Sequence, residues 1–180
     1  MAASFRGTKA TVMAILPLLM MLSSSSFASE EEMGETNIVC YMHDLLTGKN
    51  VTAVPVTLAA NSTGFGTIVA IDDAVTEGPD RRSAIVGRAQ GIYIASALDS
   101  SDFHLVFSVV FTEGKHKGST LEIQGADRYL QQKREVSVVS GTGEFRYARG
   151  YAVLETVELD PPLNAVIKFN LTIRYPVADS

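Results

Sequence analysis

The 180 residues, 46% hydrophobic and 19% charged, leave room for one domain once any targeting segment is set aside. A net charge of −5, with the basic residues scattered singly or in pairs such as Arg81-Arg82 and Lys133-Arg134, argues against a nucleic-acid partner, which needs clustered Lys and Arg. The one cysteine, Cys40, excludes an intramolecular disulfide.

In chain order, Arg6 and Lys9 form a weakly basic start, and Ala10 to Leu22 is almost wholly apolar. A small, polar stretch, Ser23 to Ala28, follows, with Ser26 and Ala28 at the positions expected before a cleavage site. Residues 1–28 therefore read as a secretory signal peptide. The apolar run falls short of the ~20 residues of a membrane-spanning helix. A soluble, secreted product is expected, and three N-glycosylation sequons agree with that route: Asn50-Val51-Thr52, Asn61-Ser62-Thr63 and Asn170-Leu171-Thr172. Residues 29–36 are acidic and aperiodic, and are expected to be a disordered leader to a domain over 37–176.

The mature chain then reads as strand after strand. Asn37–Leu45, Val51–Leu58 and Gly66–Asp72 come first, followed by a polar loop from Asp73 to Ser83. Ala84–Ala97, Phe103–Thr112, Ser119–Gln124, Arg134–Val139, Tyr147–Glu158 and Val166–Tyr175 complete the set, with a hairpin turn at Gly141-Thr142-Gly143. The last strand has the cleanest period of two: Ile167, Phe169, Leu171, Ile173 and Tyr175 share one face, with Lys168, Asn170, Thr172 and Arg174 on the other. Phe103, Leu105, Phe107, Val109 and Phe111 form a similar stripe, but Val106 and Val110 are apolar too, so that strand is expected to be covered on both faces. No segment shows sustained helical periodicity with caps. The chain is all-β, a sandwich or a barrel, and the pattern by itself does not choose.

Catalytic motifs of the common kinds are missing. His43, His104 and His116 do not stand at metal-ligand spacing with another His or Cys, so no metal is expected. Neither a nucleophile elbow nor a nucleotide-binding glycine loop is present, and no cofactor is expected. What remains is a set of polar residues within or beside strands: Asp44 after Ile38 to Met42, Arg88 and Gln90 before Ile92, Asp127 after Leu121 and Ile123, and Arg134 ahead of Val136. Such residues are commonly solvated strand ends or structural ion pairs. The functional alternative is a barrel mouth whose carboxyls, desolvated, exchange protons near neutral pH.

Eight segments resemble the plant dirigent family. They are Tyr41 to Leu46, Phe65 to Val69, Ile71-Asp72-Asp73, Gly87 to Tyr93, Gly118 to Leu121, Gly125-Ala126-Asp127, Arg134 to Val139 and Gly141 to Gly150. They stand in family order from about Asn37 to Tyr175. The resemblance implies an eight-stranded antiparallel β-barrel of the dirigent and allene-oxide-cyclase type, secreted to the apoplast. It also implies a homo-oligomer, a trimer in preference to a dimer. It implies that the barrel imparts stereoselectivity on the coupling of phenoxy radicals of the coniferyl alcohol type, giving optically active lignans. The radicals come from a separate laccase or peroxidase. Carried over residue by residue, Asp44 and Asp127 are the acids and Arg134 and Arg88 hold or polarise them. Tyr93 meets the phenolic substrate, and Phe111 is assigned to substrate binding as well.

Three features depart from the lignan-type pattern. Only Tyr93 follows Gly-Arg-Ala-Gln-Gly, with Ala95 in the place of a second tyrosine. The family's cysteine pair is missing. Residues 71–79 and 111–115 look like a branch that includes pterocarpan synthases, which dehydrate and cyclise an isoflavanol with no radical step. That cyclase role, and a role as a phenolic-ligand-binding defence protein, are the alternatives.

Overall fold

The computed structural model describes residues 32–57, 64–99, 101–160 and 164–177. Among these are nine strands: β1 (Met33–Asp44), β2 (Ala53–Pro55), β3 (Ile68–Thr76), β4 (Ile85–Ala95), β5 (Phe103–Phe111), β6 (Thr120–Asp127), β7 (Arg134–Thr142), β8 (Arg149–Asp160) and β9 (Asn164–Pro176). One 3₁₀ turn, Gly143–Phe145, links β7 to β8. From β3 to β9 each strand pairs antiparallel with the next, β9 pairs with β1, and β1 returns to β3. That last ladder closes an eight-stranded barrel and removes the free edges an open sheet would leave. The short β2 adds to β3 beyond the end of β1.

The barrel forms because alternate residues along each strand are apolar and bury on one side. Leu105, Phe107, Val109 and Phe111 of β5 and Ile167, Phe169, Leu171 and Ile173 of β9 are all buried, as the period of two requires. Bulges reset the alternation where the wall must bend. Val139 of β7 has no partner between Val138↔Ile123 and Ser140↔Glu122. The extra residue lets Arg134, Val136 and Val138 point inward before it and Gly141 after it.

Several sequence expectations are corrected here. Residues 33–36, inside the expected leader, belong to β1, which continues its ladder with β9 as far as Met33↔Pro176. The second strand is only Ala53–Pro55 within the expected 51–58. β3 runs on to Thr76, so Asp73 belongs to a strand rather than a loop, paired with Ala89. β6 reaches Asp127 and β7 reaches Thr142, so the expected turn at 141–143 begins two residues late. On the outer face of β5, expected to be covered, Val106 is 41% exposed while Val110 is half-buried.

The two ends of the barrel differ. At one, Phe111, His116, Phe145 and Tyr175 form an aromatic plug with ring centroids 4.9–5.8 Å apart. Phe145 is completely buried in it, and Glu144 accepts from His116 at 2.8 Å. The other end, where β1, β4, β6 and β8 finish and β5, β7 and β9 begin, opens into a cavity.

Candidate functional site at the barrel mouth

The cavity has a volume of about 40 Å³, enough for a few waters, and is lined by Met42, Asp44, Tyr93, Phe103, Leu105, Asp127, Leu154 and Ile167. Strand order places its two sequence-assigned acids on opposite walls. Around the closed barrel β1 and β6 are four strands apart in either direction, so Asp44 and Asp127 face each other across the lumen.

Asp44 ends β1 on the inward phase shared with Cys40 and Met42, and is only 8% exposed. Burial raises its pKa to about 7, against a smaller opposite effect of the hydrogen bond from the Tyr93 hydroxyl. Tyr93 itself is pushed far up, first by burial and then by the neighbouring Asp44 and Asp73. Its ring sits edge-on to Phe103 at 5.2 Å, and Phe103 meets Tyr129 at 5.1 Å. These three rings lead from the buried acid to the rim.

On the far wall Arg134 Nε donates to Asp127 Oδ1 at 2.6 Å, and Arg134 Nη1 donates to Thr156 Oγ1 at 3.0 Å. Both charged side chains are nearly sealed from solvent, and the β6–β7 hairpin sets their reach. A buried ion pair in this position keeps a fixed dipole at the cavity wall.

Two sequence-assigned residues stand elsewhere. Arg88 lies on the outward phase of β4, bonded to the Asp72 side chain and main-chain carbonyl, and does not touch Asp44 or Asp127. Phe111 ends β5 at the plugged end, eight residues along the strand from Phe103. The stripe Phe103 to Phe111 shares one face, as its alternation predicts, but a face does not say which end is open. The β5 aromatic at the mouth is Phe103.

The residue that sequence reasoning missed is Asp73. It is completely buried, and burial together with the Asp44 charge raises its pKa to about 8; Thr52 donates to its Oδ1 at 2.5 Å and partly offsets this. The signal was present as an unbroken alternation of Val69, Ile71, Asp73 and Val75, all inward. His43, on the outward phase of β1, bonds Thr76 through Nε2 at 2.7 Å; burial, then Arg81, lowers its pKa. Among the described residues no group of three His, Cys, Asp or Glu could hold a metal ion, and no helix is long and apolar enough to cross a membrane.

Of the sequons, Asn50 is exposed with a left-handed backbone (φ 63°), and Asn170 is exposed on the outer face of β9. Asn61 and the segment 1–28 lie outside the described residues.

The barrel is closed and plugged at one end, and carries carboxyls and aromatic rings around the other. The sequence matches the dirigent-like protein family over residues 35–174. It is 42% identical to Dirigent protein 1 of Arabidopsis thaliana over 142 residues, 77% of this chain and 78% of that protein. It is 36% identical to Pterocarpan synthase 1 of Glycyrrhiza echinata over 144 residues, covering 77% of each. A solved pterocarpan synthase dirigent protein superposes with a TM-score of 0.77 at 34% identity, covering 83% of this chain and 89% of that one. The chain belongs to the dirigent family.

Proposed function

We propose that the barrel mouth binds a phenolic substrate and controls a quinone-methide step as a cyclase of the pterocarpan synthase kind, working without an oxidase. The observation that carries this reading is Asp44, a carboxyl whose pKa of about 7 suits a general acid, set across the lumen from the Asp127–Arg134 pair. With a 2′-hydroxylated isoflavanol, Asp44 delivers a proton to the leaving hydroxyl, which departs as water. The conjugated phenol passes its proton to Asp127 and becomes the quinone-methide carbonyl, and Arg134 stabilises charge at that end. The second phenol then attacks the electrophilic carbon and returns its proton to Asp44, while Asp127 reprotonates the carbonyl oxygen. The sum is loss of one water, with both carboxyls restored. Ala95, buried two residues beyond Tyr93, stands where the lignan-type pattern has a second tyrosine.

A second reading keeps the same residues for coniferyl alcohol radicals made by a separate laccase or peroxidase. The Tyr93–Phe103–Tyr129 ladder favours it, as a surface on which planar phenoxy rings can be oriented before Asp44 protonates the coupled bis-quinone methide. Secretion to the apoplast, glycosylation at Asn50, Asn61 and Asn170, and a trimer that covers Val106 belong to this proposal too.

The test offers purified mature protein a 2′-hydroxyisoflavanol without oxidase and, separately, coniferyl alcohol with a laccase, both read by chiral chromatography. Cyclised product in the first tube, falling about 10²-fold or more in Asp44→Asn, supports the cyclase. An enantiomeric excess in the second tube alone supports the radical guide. Tight phenol binding with no change in any product overturns both in favour of a carrier.

A further inference from the structure

We propose that Asp44 and Asp73 act as one proton-sharing pair, with Thr52 as the positioning residue that aims Asp73 at Asp44. This rests on Asp44 being the acid and adds to that site a carboxyl from the neighbouring strand.

The geometry comes from the seam where the barrel closes. β1 pairs with β3 through Tyr41↔Thr76, Met42↔Val75 and His43↔Ala74, where the ladder stops; Asp44 and Asp73 are the next residues along the two strands, and the Asp44 charge acts on Asp73. Both side chains are on the inward phase. Asp44 Oδ1 and Asp73 Oδ2 are each sealed from solvent with no hydrogen-bond partner. The other oxygen of Asp73 is occupied by the Thr52 hydroxyl at 2.5 Å. Thr52 is itself pinned: its hydroxyl accepts from the Leu45 amide at 3.2 Å and lies 3.4 Å from the His43 carbonyl, and its own amide donates to Leu45 at 2.9 Å. The excursion over residues 46–51 therefore leaves the sheet and rejoins it at the residue that orients Asp73.

The surrounding charges do not separate the pair. On β4, Tyr93 donates to Asp44, and Arg88, bonded to Asp72 outside the wall, lowers the pKa of Asp73 by less than burial and the Asp44 charge raise it. His43 turns outward to Thr76, and Arg134 is bonded to Asp127 across the lumen. Two buried carboxyls with no cation between them do not both ionise near neutrality, and their titration belongs to the pair. When Asp44 gives its proton to the leaving hydroxyl, the O–H bond of Asp73 breaks and a new one forms on Asp44. The negative charge moves to Asp73, and the proton of the ring-closing phenol returns to the pair. The acid is restored without admitting water.

The experiment is a carbon-13 carboxyl titration of the mature protein labelled at aspartate, free of substrate, compared with Asp44→Asn and Asp73→Asn. The expected result is two coupled steps, the upper of which disappears in either variant, leaving a carboxyl that binds its proton at least tenfold more weakly. Thr52→Val should weaken the coupling and Thr52→Ser restore it, with Asn50→Gln as the control for the sequon that Thr52→Val also destroys. With isoflavanol, Asp73→Asn should lower kcat about 10²-fold with KM within about twofold. Two independent titrations, each unmoved by loss of the other carboxyl, overturn the pair. Coupled titration in a protein that cyclises no phenol retains the pair and overturns only the reading of Asp44 as catalytic acid.

Discussion

Arg134 and Asp127 meet at 2.6 Å inside the barrel, joined by a hairpin that leaves and re-enters the same end, and neither exposes more than 5% of its surface. Removing one partner of such a pair strands the other charge in a medium that solvates it poorly. Arg134→Ala should therefore destabilise the fold by about 3–5 kcal/mol, read as a lower denaturant midpoint. Arg134→Lys should lose less, since it keeps the charge while giving up the Thr156 bond. A midpoint unchanged in Arg134→Ala would show that the pair contributes nothing to stability.

Stability should also depend on pH through the other wall. Asp44 and Asp73 have an ordinary value of 3.8 and are raised in the fold to about 7 and about 8. Between about pH 4 and pH 8 the folded state then holds more protons than the unfolded chain. Their contribution is greatest below about pH 4, declines as pH rises, and levels off above about pH 8. Thermal melts across pH 5 to 8 should show Tm falling, with a flatter profile in the Asp44→Asn, Asp73→Asn double variant. An identical slope in that variant would assign the dependence to other groups.

Phe103 and Phe111 occupy the same face of β5 at opposite ends, and their variants should separate binding from stability. Phe103→Leu loses a ring contact with Tyr93 and Tyr129 at the mouth, and should weaken phenol binding up to about tenfold. Phe111→Ala removes a ring from the closed plug and should cost about 3–5 kcal/mol while sparing KM in the protein that remains folded. Isothermal titration with a phenolic ligand, paired with urea unfolding, measures both. The reverse pattern would place the ligand at the plugged end.

Gly91 allows β4 to approach β5 closely just below Tyr93. A Cβ there would stand 2.5 Å from the Val106 carbonyl oxygen and 2.6 Å from Phe107 Cα, on a backbone at φ +155°. Gly91→Ala should cost about 1–3 kcal/mol, the usual range for overpacking, and displace Tyr93. Its signature is a lower Tm together with a changed product enantiomer ratio; an unaltered ratio at reduced Tm would confine the effect to packing.

The elements were readable wherever alternation was unbroken. Ile167 to Ile173 and Leu105 to Phe111 declared their inward faces because a strand exposes its two sides at a period of two, whatever its partners are. The motifs around Asp44, Asp127 and Arg134 likewise marked residues that the fold brings to one cavity or its wall. The errors came where local polarity outweighed pattern. Asp73 looked like the start of a loop, and residues 33–36 like a leader, because their partners Ala89 and 173–176 are distant in sequence.

What the sequence determined by itself was the all-β class, the inward faces of the regular strands, and the carboxyl and guanidinium groups available for chemistry. Tertiary structure alone decided that Arg88 faces outward, that Phe111 plugs one end while Phe103 serves the other, and that Asp44 and Asp73 follow the last rung of the closing ladder. The reason is that alternation assigns a face, whereas the open end and the neighbour across a closing seam depend on the stagger between strands. That stagger is set by long-range pairing between β1 and β3, which no local pattern encodes.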